Sequence, residues 1–367
     1  MGFFDRFFGS KNKPAQPLTY DQFWLWFQAN SQRFYSIVST QGDVEKEFFD
    51  KLTPKLDAIR PGYYVVAGMY NDTTAELIIT SEGVIKNMVF VEELIAAAPT
   101  IPGWKFTAHK PATGIEEFTI KMGDYVFSQD LIRFYPVEHD EYPDEIDIAI
   151  VYPHYNDADK QVIVNGLFIF LDNYLGEVDA ITRIDNIQIM GPADAKEELI
   201  AISKLKAYID WREKEFLEKY EGTRHNTDTD DHAAINGQTH EGHPVIAIVD
   251  TALLKWDGKA SHPWILKLML QYTKRVNGMP DAATMENFEA FDNDLLEQLR
   301  DSDGYLYVAR QTSNGERLVY YACKDFRLPA KVADAMVTRY TGRIKGIAYD
   351  IYKDKYWQSL EHYNHVQ

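Results

Sequence analysis

A single cysteine, Cys323, stands in the 367-residue chain, so no intrachain disulfide can form. That usage fits a reducing compartment, and the cytoplasm is the expected location. Cys323 lies in LVYYACKD, a strand pattern in which a small buried thiol is expected. No apolar run approaches the length that spans a membrane. Positive charge is also scarce: 38 Lys and Arg face 56 Asp and Glu, a formal net charge of −18. Phosphate backbones are held by clustered cations, so direct nucleic-acid binding is not expected. Such a surface favours solubility and basic partners.

Catalytic signatures are missing as well. There is no GxSxG elbow, no HExxH and no GxGxxG. GKAS at 258–261 is not a phosphate loop, because Leu253 replaces its first Gly and Ala260 its Ser or Thr. Carboxylates are plentiful, yet no pair is singled out for acid–base work. The chain therefore reads as leaning away from an enzyme, and no catalytic residue, cofactor or metal ligand is assigned. An unrecognised carboxylate or histidine site in an interdomain pocket is the alternative, to be marked by two convergent buried carboxylates or by His109, His139 or His154 beside one.

The stretch HNTDTDDHAAINGQTHEGHP, from His225 to Pro244, holds four of the ten histidines. His240 and His243 supply two nitrogens, and His225 and His232 with Asp228 or Asp230 supply more. The spacing matches no zinc pattern and no cysteine is near. A calcium loop fails, because Asp231 stands at its glycine position and Gly237 at its glutamate position. Gly, Thr, Asn, Asp and His without apolar periodicity read as a polar linker over 221–243. Whether it binds metal is left open here. His362 and His365 are expected to face solvent.

What is present is aromatic and apolar: 45% hydrophobic and 14% aromatic residues supply real cores. Tyr20, Phe23, Trp24, Phe27, Phe34 and Val38 recur at helical spacing within 15–40. A second helix is expected over 43–58, then two strands around Asn71-Asp72, a helix in VEELIAAA, and alternating segments that predict an antiparallel sheet. DADKQVIVNGLFIFLDNYLG reads as a buried helix, ITRIDNIQIM as a strand, and ADAKEELIAISKLKAYIDWREKEFLEKY as one long helix. After the linker, the order is strand, strand, helix, strand, strand, helix, strand. The helix in DAATMENFEAFDNDLLEQLRD takes Thr284 as cap and puts Met285, Phe288, Leu295 and Leu299 on one face. Asn314-Gly315 marks a hairpin.

The expected class is α+β: two domains of mainly antiparallel sheet packed by helices, the second ferredoxin-like (βαββαβ) with an extra strand. Their bounds are a tail at 1–14, a first domain at 15–220, the linker at 221–243 and a second domain at 244–367. In the tail, Phe3, Phe4, Phe7 and Phe8 share one helical face ahead of Lys11 and Lys13. That admits a short interfacial membrane helix, although a frayed or self-docked terminus is the stronger expectation, since one turn buries little apolar area.

Two acidic runs stand out, Val137–Asp147 and Pro280–Asp303, the second with Arg300 alone against its carboxylates. A solvated face is the usual meaning of such runs. As a docking face for a basic protein, the second offers Glu286, Glu289, Asp292, Asp294 and Glu297, with Trp256 and Trp264 as aromatic anchor candidates, although buried core is the stronger expectation for both.

NGMP at Asn277–Pro280, the acidic helix with Glu286, Phe291 and Leu295, the hairpin RQTSNGERLVYYACKD and the ending DIYKDKYW occur in an order that resembles the bacterial domain of unknown function 695 family. The resemblance covers about residues 240–360. Through fold order and the Asp–Trp ending it also looks similar to the B-type regulators of ribonuclease E activity, small acidic α+β proteins that bind and inhibit that enzyme. The resemblance implies protein binding without catalysis, and an immunity-type role against a basic toxin belongs to the same class. No partner-contacting residue carries over. The first half is assigned to no characterised family.

Overall fold

The computed structural model describes residues 18–116 and 118–364. The Phe3–Phe8 tail and His365 lie outside them. The chain forms two compact units: one runs to Asp140 and resumes over Glu145–Glu213, the other holds Glu141–Asp144 and continues from Lys214. The class is α+β with mostly antiparallel sheets. Among the described residues, no helix is long and apolar enough to cross a membrane.

The first unit opens with α1 (Tyr20–Ser39). Thr19 and Gln22 close a capping box at its start, satisfying two otherwise orphaned amides. Phe23, Trp24, Phe27, Phe34 and Val38 are buried on one face, as their spacing predicts. Their rings cluster with Phe48, Trp104 and Phe106. Each fully buried aromatic contributes roughly 2–3 kcal/mol of transfer free energy. The expected 43–58 helix is a π-helical turn at Glu45–Phe49 running into α2 (Asp50–Ile59). β1 (Tyr64–Asn71) and β2 (Thr74–Thr80) form the hairpin, α3 (Ile85–Ala96) follows, and β3 (Trp104–Ala108) adds parallel to β2.

A small hairpin, β4 (Ile120–Met122) with β5 (Tyr125–Phe127), precedes β6 (Arg133–Val137) and β7 (Asp147–Val151). All five β7 residues are buried, as in a strand covered on both faces. α4 (Lys160–Leu175) is the expected buried helix; α5 (Glu177–Thr182) and β8 (Asn186–Met190) follow it. The predicted long helix is much shorter: β9 (Ile200–Ala201) first pairs with β6, and a 3₁₀ turn at Ile202–Lys204 leads into the α-helix α6 (Leu205–Lys219). The sheet order is β8-β7-β6-β9.

The second unit is built on a six-stranded antiparallel sheet. Its elements are β10 (His232–Gln238), β11 (Pro244–Asp250), the single turn α7 (Thr251–Leu254), β12 (Trp264–Gln271), α8 (Ala282–Gln298), β13 (Tyr305–Ser313), β14 (Glu316–Cys323), α9 (Arg327–Tyr340) and β15 (Gly346–Lys353). The strand order is β10-β11-β13-β14-β12-β15. The β13–β14 hairpin turns at Asn314 (φ 44°) and Gly315 (φ 93°), the left-handed pair its Asn-Gly implies. Asp281, not Thr284, caps α8: its carboxylate accepts the Thr284 N–H. Phe288, Leu295 and Leu299 are buried as expected, whereas Met285 is exposed. Cys323 is buried in β14, and burial pushes its thiol well above the ordinary value.

The 221–243 segment is not wholly an irregular linker. His232–Gln238 is the edge strand β10, paired along its length with β11. An edge strand needs hydrogen-bond partners on one side only, so it carries little apolar signal.

Candidate functional site

Strand pairing gathers the acid–histidine constellation of the second unit. In the β10–β11 register His232 faces Asp250, and the Thr251 N–H bonds to the Asp231 carbonyl at 2.8 Å. That pairing draws the segment ahead of β10 against the C-terminal end of β11. A 3₁₀ turn at Thr227–Thr229, with Asn226 accepting the Asp228 N–H, folds this segment back on itself. His225 Nε2 then lies 2.6 Å from Asp230 Oδ1. His225, Asp230 and Asp250 each present a potential ligand atom, all within 4.8 Å of one another.

Asp250 has a split role. Its Oδ1 accepts the N–H groups of Ala252 and Leu253 at 3.0 Å each, capping α7. Its Oδ2 is buried and has no hydrogen-bond partner among the described residues, and the residue is fully buried. Burial raises the Asp250 carboxyl, and the neighbouring Asp230 adds to the rise, against the lowering pull of the Leu253 N–H and His232.

Trp256 packs edge-on between His225 (5.2 Å) and His262 (5.4 Å) and tilts against Trp357. His262 is buried, with Nδ1 2.9 Å from Ser261 Oγ. Burial, with Lys324 and His225 nearby, pushes His262 down to about 4, so it is neutral at pH 7. His225 and His262 line a cavity of about 770 Å³ that also takes in Tyr220, Asp301, Lys324 and Asp325. Asp230 lines another of about 450 Å³ with Tyr305, Tyr307 and Arg310. The His225–Asp230 pair thus borders both.

The acidic helix is less open than its sequence suggests. Glu286, Glu289 and Glu297 are exposed on α8. Asp292 is buried and ion-paired with Arg317 and Arg310, which corrects its expected place on a docking face. An aspartate facing the sheet is drawn in by guanidiniums that are themselves half-buried or buried. Asp294 is half-buried, accepting from the Tyr340 hydroxyl and lying 3.1 Å from Arg339. Trp264 is core, edge-on to Phe326 at 4.9 Å, and Trp256 is half-buried in the histidine stack; neither stands out as an anchor. In the other acidic run, Asp144 accepts from Lys219, Tyr220 and Tyr356 within the second unit.

Of the histidines flagged in the first unit, His109 is buried 3.8 Å from the buried Glu177. Glu177 also accepts the Thr80 hydroxyl and the N–H groups of Gly83 and Lys110, a set that reads as a structural clamp. His139 lies 3.0 Å from Asp147, whose oxygens also accept from Asn186. His154 is exposed, its ring edge-on to Tyr152. Asp250 escaped sequence reasoning because it reads as the last residue of an apolar strand, far from the histidine-rich stretch it joins.

Residues 237–363 match the family described as "Family of unknown function (DUF695)". No curated protein and no solved structure matches the chain. The matched region includes α8, Asp250, Trp256 and His262 but neither His225 nor Asp230.

Proposed function

We propose that this is a non-enzymatic binding protein whose second unit docks a basic protein through the outer face of α8. The observation that carries the proposal is the stripe of Glu286, Glu289 and Glu297, exposed at helical spacing and edged by exposed Met285 and Leu296. No ion pair engages these three carboxylates among the described residues, so they are available to a cationic face. The net charge of −18 favours steering of such a partner. A ferredoxin-like core is part of the proposal: β15-β12-β14-β13, joined through α8 and α9, follows the order of a split βαβ arrangement, with β11 and β10 as additions. The sequence resemblance to B-type regulators of ribonuclease E activity, carried by fold order and the Asp–Trp ending alone, would make a nuclease the partner class, met in the cytoplasm and without direct contact to nucleic acid.

The test is capture of partners from the native cell by the tagged full chain, at low and high salt and after nuclease treatment. A basic protein held at low salt, released at high salt and lost in Glu286→Lys/Glu289→Lys/Glu297→Lys supports docking by α8. Capture indifferent to all three substitutions contradicts it.

A second reading, an enzyme acting through His225, Asp230 and Asp250, is supported by the convergence of two carboxylates and a histidine beside the 770 Å³ cavity. Turnover abolished by Asp230→Asn in a folded protein would favour it, and turnover indifferent to that change would remove these residues from the chemistry.

A further inference from the structure

We propose that His225, Asp230 and Asp250 form a binding site for a divalent transition-metal cation, of which Zn²⁺ is the probe. Three ligands converge: an imidazole nitrogen, a carboxylate on the same segment and a carboxylate from the end of β11, with ligand atoms within 4.8 Å of one another. A histidine and two carboxylates with open coordination positions are a donor set for zinc or manganese. The single imidazole disfavours Mg²⁺ and Ca²⁺, which take all-oxygen shells.

The independent observation is Asp250 Oδ2. It belongs to a fully buried residue, has no hydrogen-bond partner among the described residues and lies beside Asp230. A buried acceptor without a partner costs about 1–3 kcal/mol, and a second carboxylate against it adds repulsion. His225 bonds to Asp230, so it leaves Oδ2 unsatisfied. A cation among the three satisfies that oxygen, neutralises both carboxylates and keeps the Oδ1 cap on α7 intact.

Trp256 packs on the His225 ring and shields that side of the site. His225 opens to one cavity and Asp230 to the other, which gives the cation an entry path and exchangeable water positions. The site depends on β10–β11 pairing, so metal binding would also fasten the 225–231 segment to the sheet. This inference is independent of whether the unit docks a protein or turns over a substrate.

The experiment is calorimetric titration of ZnCl₂ into the full chain at pH 7, with folding followed by circular dichroism. Four proteins are compared: the unaltered chain, Asp250→Asn, His225→Gln and His240→Gln/His243→Gln. Asparagine keeps the helix-capping oxygen, so Asp250→Asn removes the charged ligand while sparing the cap. His225→Gln offers the same test away from the cap. The expected result is one saturable site, at least about tenfold weaker in both single variants, unchanged in the double variant and unchanged by excess MgCl₂. Unaltered affinity in the single variants, binding that disappears only with His240 and His243, or no binding to the unaltered chain overturns the proposal.

Discussion

Arg317 and Asp292 form an ion pair whose side chains are only 3% and 9% exposed, tying β14 to α8. Arg310 adds a contact at 3.0 Å, and the Arg317 guanidinium lies 4.9 Å over the Phe288 ring. Breaking a buried pair from one side strands a charge in the core. Asp292→Ala should therefore cost the second unit about 3–5 kcal/mol, read as a lower urea midpoint. Arg317→Met with Asp292→Leu should recover most of that loss, because the pair's own net contribution is small. A wild-type midpoint in Asp292→Ala would contradict this account.

Glu177 gives the first unit an acid-sensitive clamp. Burial raises its carboxyl, but His109, Thr80 and the Gly83 and Lys110 N–H groups outweigh burial and hold it down at about 2, below its ordinary 4.5. The depressed folded value means the stabilisation is complete above pH 4.5 and is lost as pH falls towards 2. Its size is about 3 kcal/mol. Acid titration of the unfolding midpoint should show this loss in the unaltered chain and a flatter profile in Glu177→Gln.

Asp172 works in the opposite sense. Burial, with Glu177 and Glu82 adding and Lys110 opposing, raises its carboxyl from 3.8 to about 6. The folded state binds the proton more tightly, so this group's contribution declines as pH rises from 3.8 to 6. Asp172→Asn should stabilise the first unit at pH 7 by about 1–2 kcal/mol, discounted for partial exposure, and do nothing at pH 3.5. Equal effects at both pH values would argue against a titrating cause.

Gly166 lies on the buried face of α4, where an added Cβ would come within 2.1 Å of the buried Phe127 ring. Helix propensity alone favours alanine by about 1 kcal/mol. Overpacking should win, and Gly166→Ala should destabilise by about 1–3 kcal/mol, seen as a lower melting temperature.

Much of this fold was legible where the local signal was strong. The α1 aromatic spacing, the Asn314-Gly315 turn and the mainly apolar segments of β7 and β12 each imply their element from a few residues. The signal failed where pairing or tertiary contact decides. β10, HAAINGQ, is polar because it borders a sheet, so it resembles a linker. Ile200–Ala201 sits in a helix-forming run but is taken by β6. The candidate site follows the same division. His225 and Asp230 were visible as a histidine- and aspartate-rich run, whereas Asp250 reaches them only through the β10–β11 register. Asp292 looked like one more acid of an exposed face until two arginines from the sheet were placed beside it. Helical periodicity states which residues share a face, not what an opposing strand brings to meet them.

The most direct test of the docking claim sets Glu286→Lys/Glu289→Lys/Glu297→Lys against Glu197→Lys/Glu198→Lys, a charge reversal of exposed acids in the first unit. Association with the captured basic protein would be measured by stopped flow across ionic strength. The account predicts that the α8 reversal slows association by at least about tenfold at low salt and flattens its salt dependence, while the first-unit reversal leaves both near the unaltered chain. Equal loss in both variants would reduce the effect to net charge, and no loss in either would remove α8 from the interface.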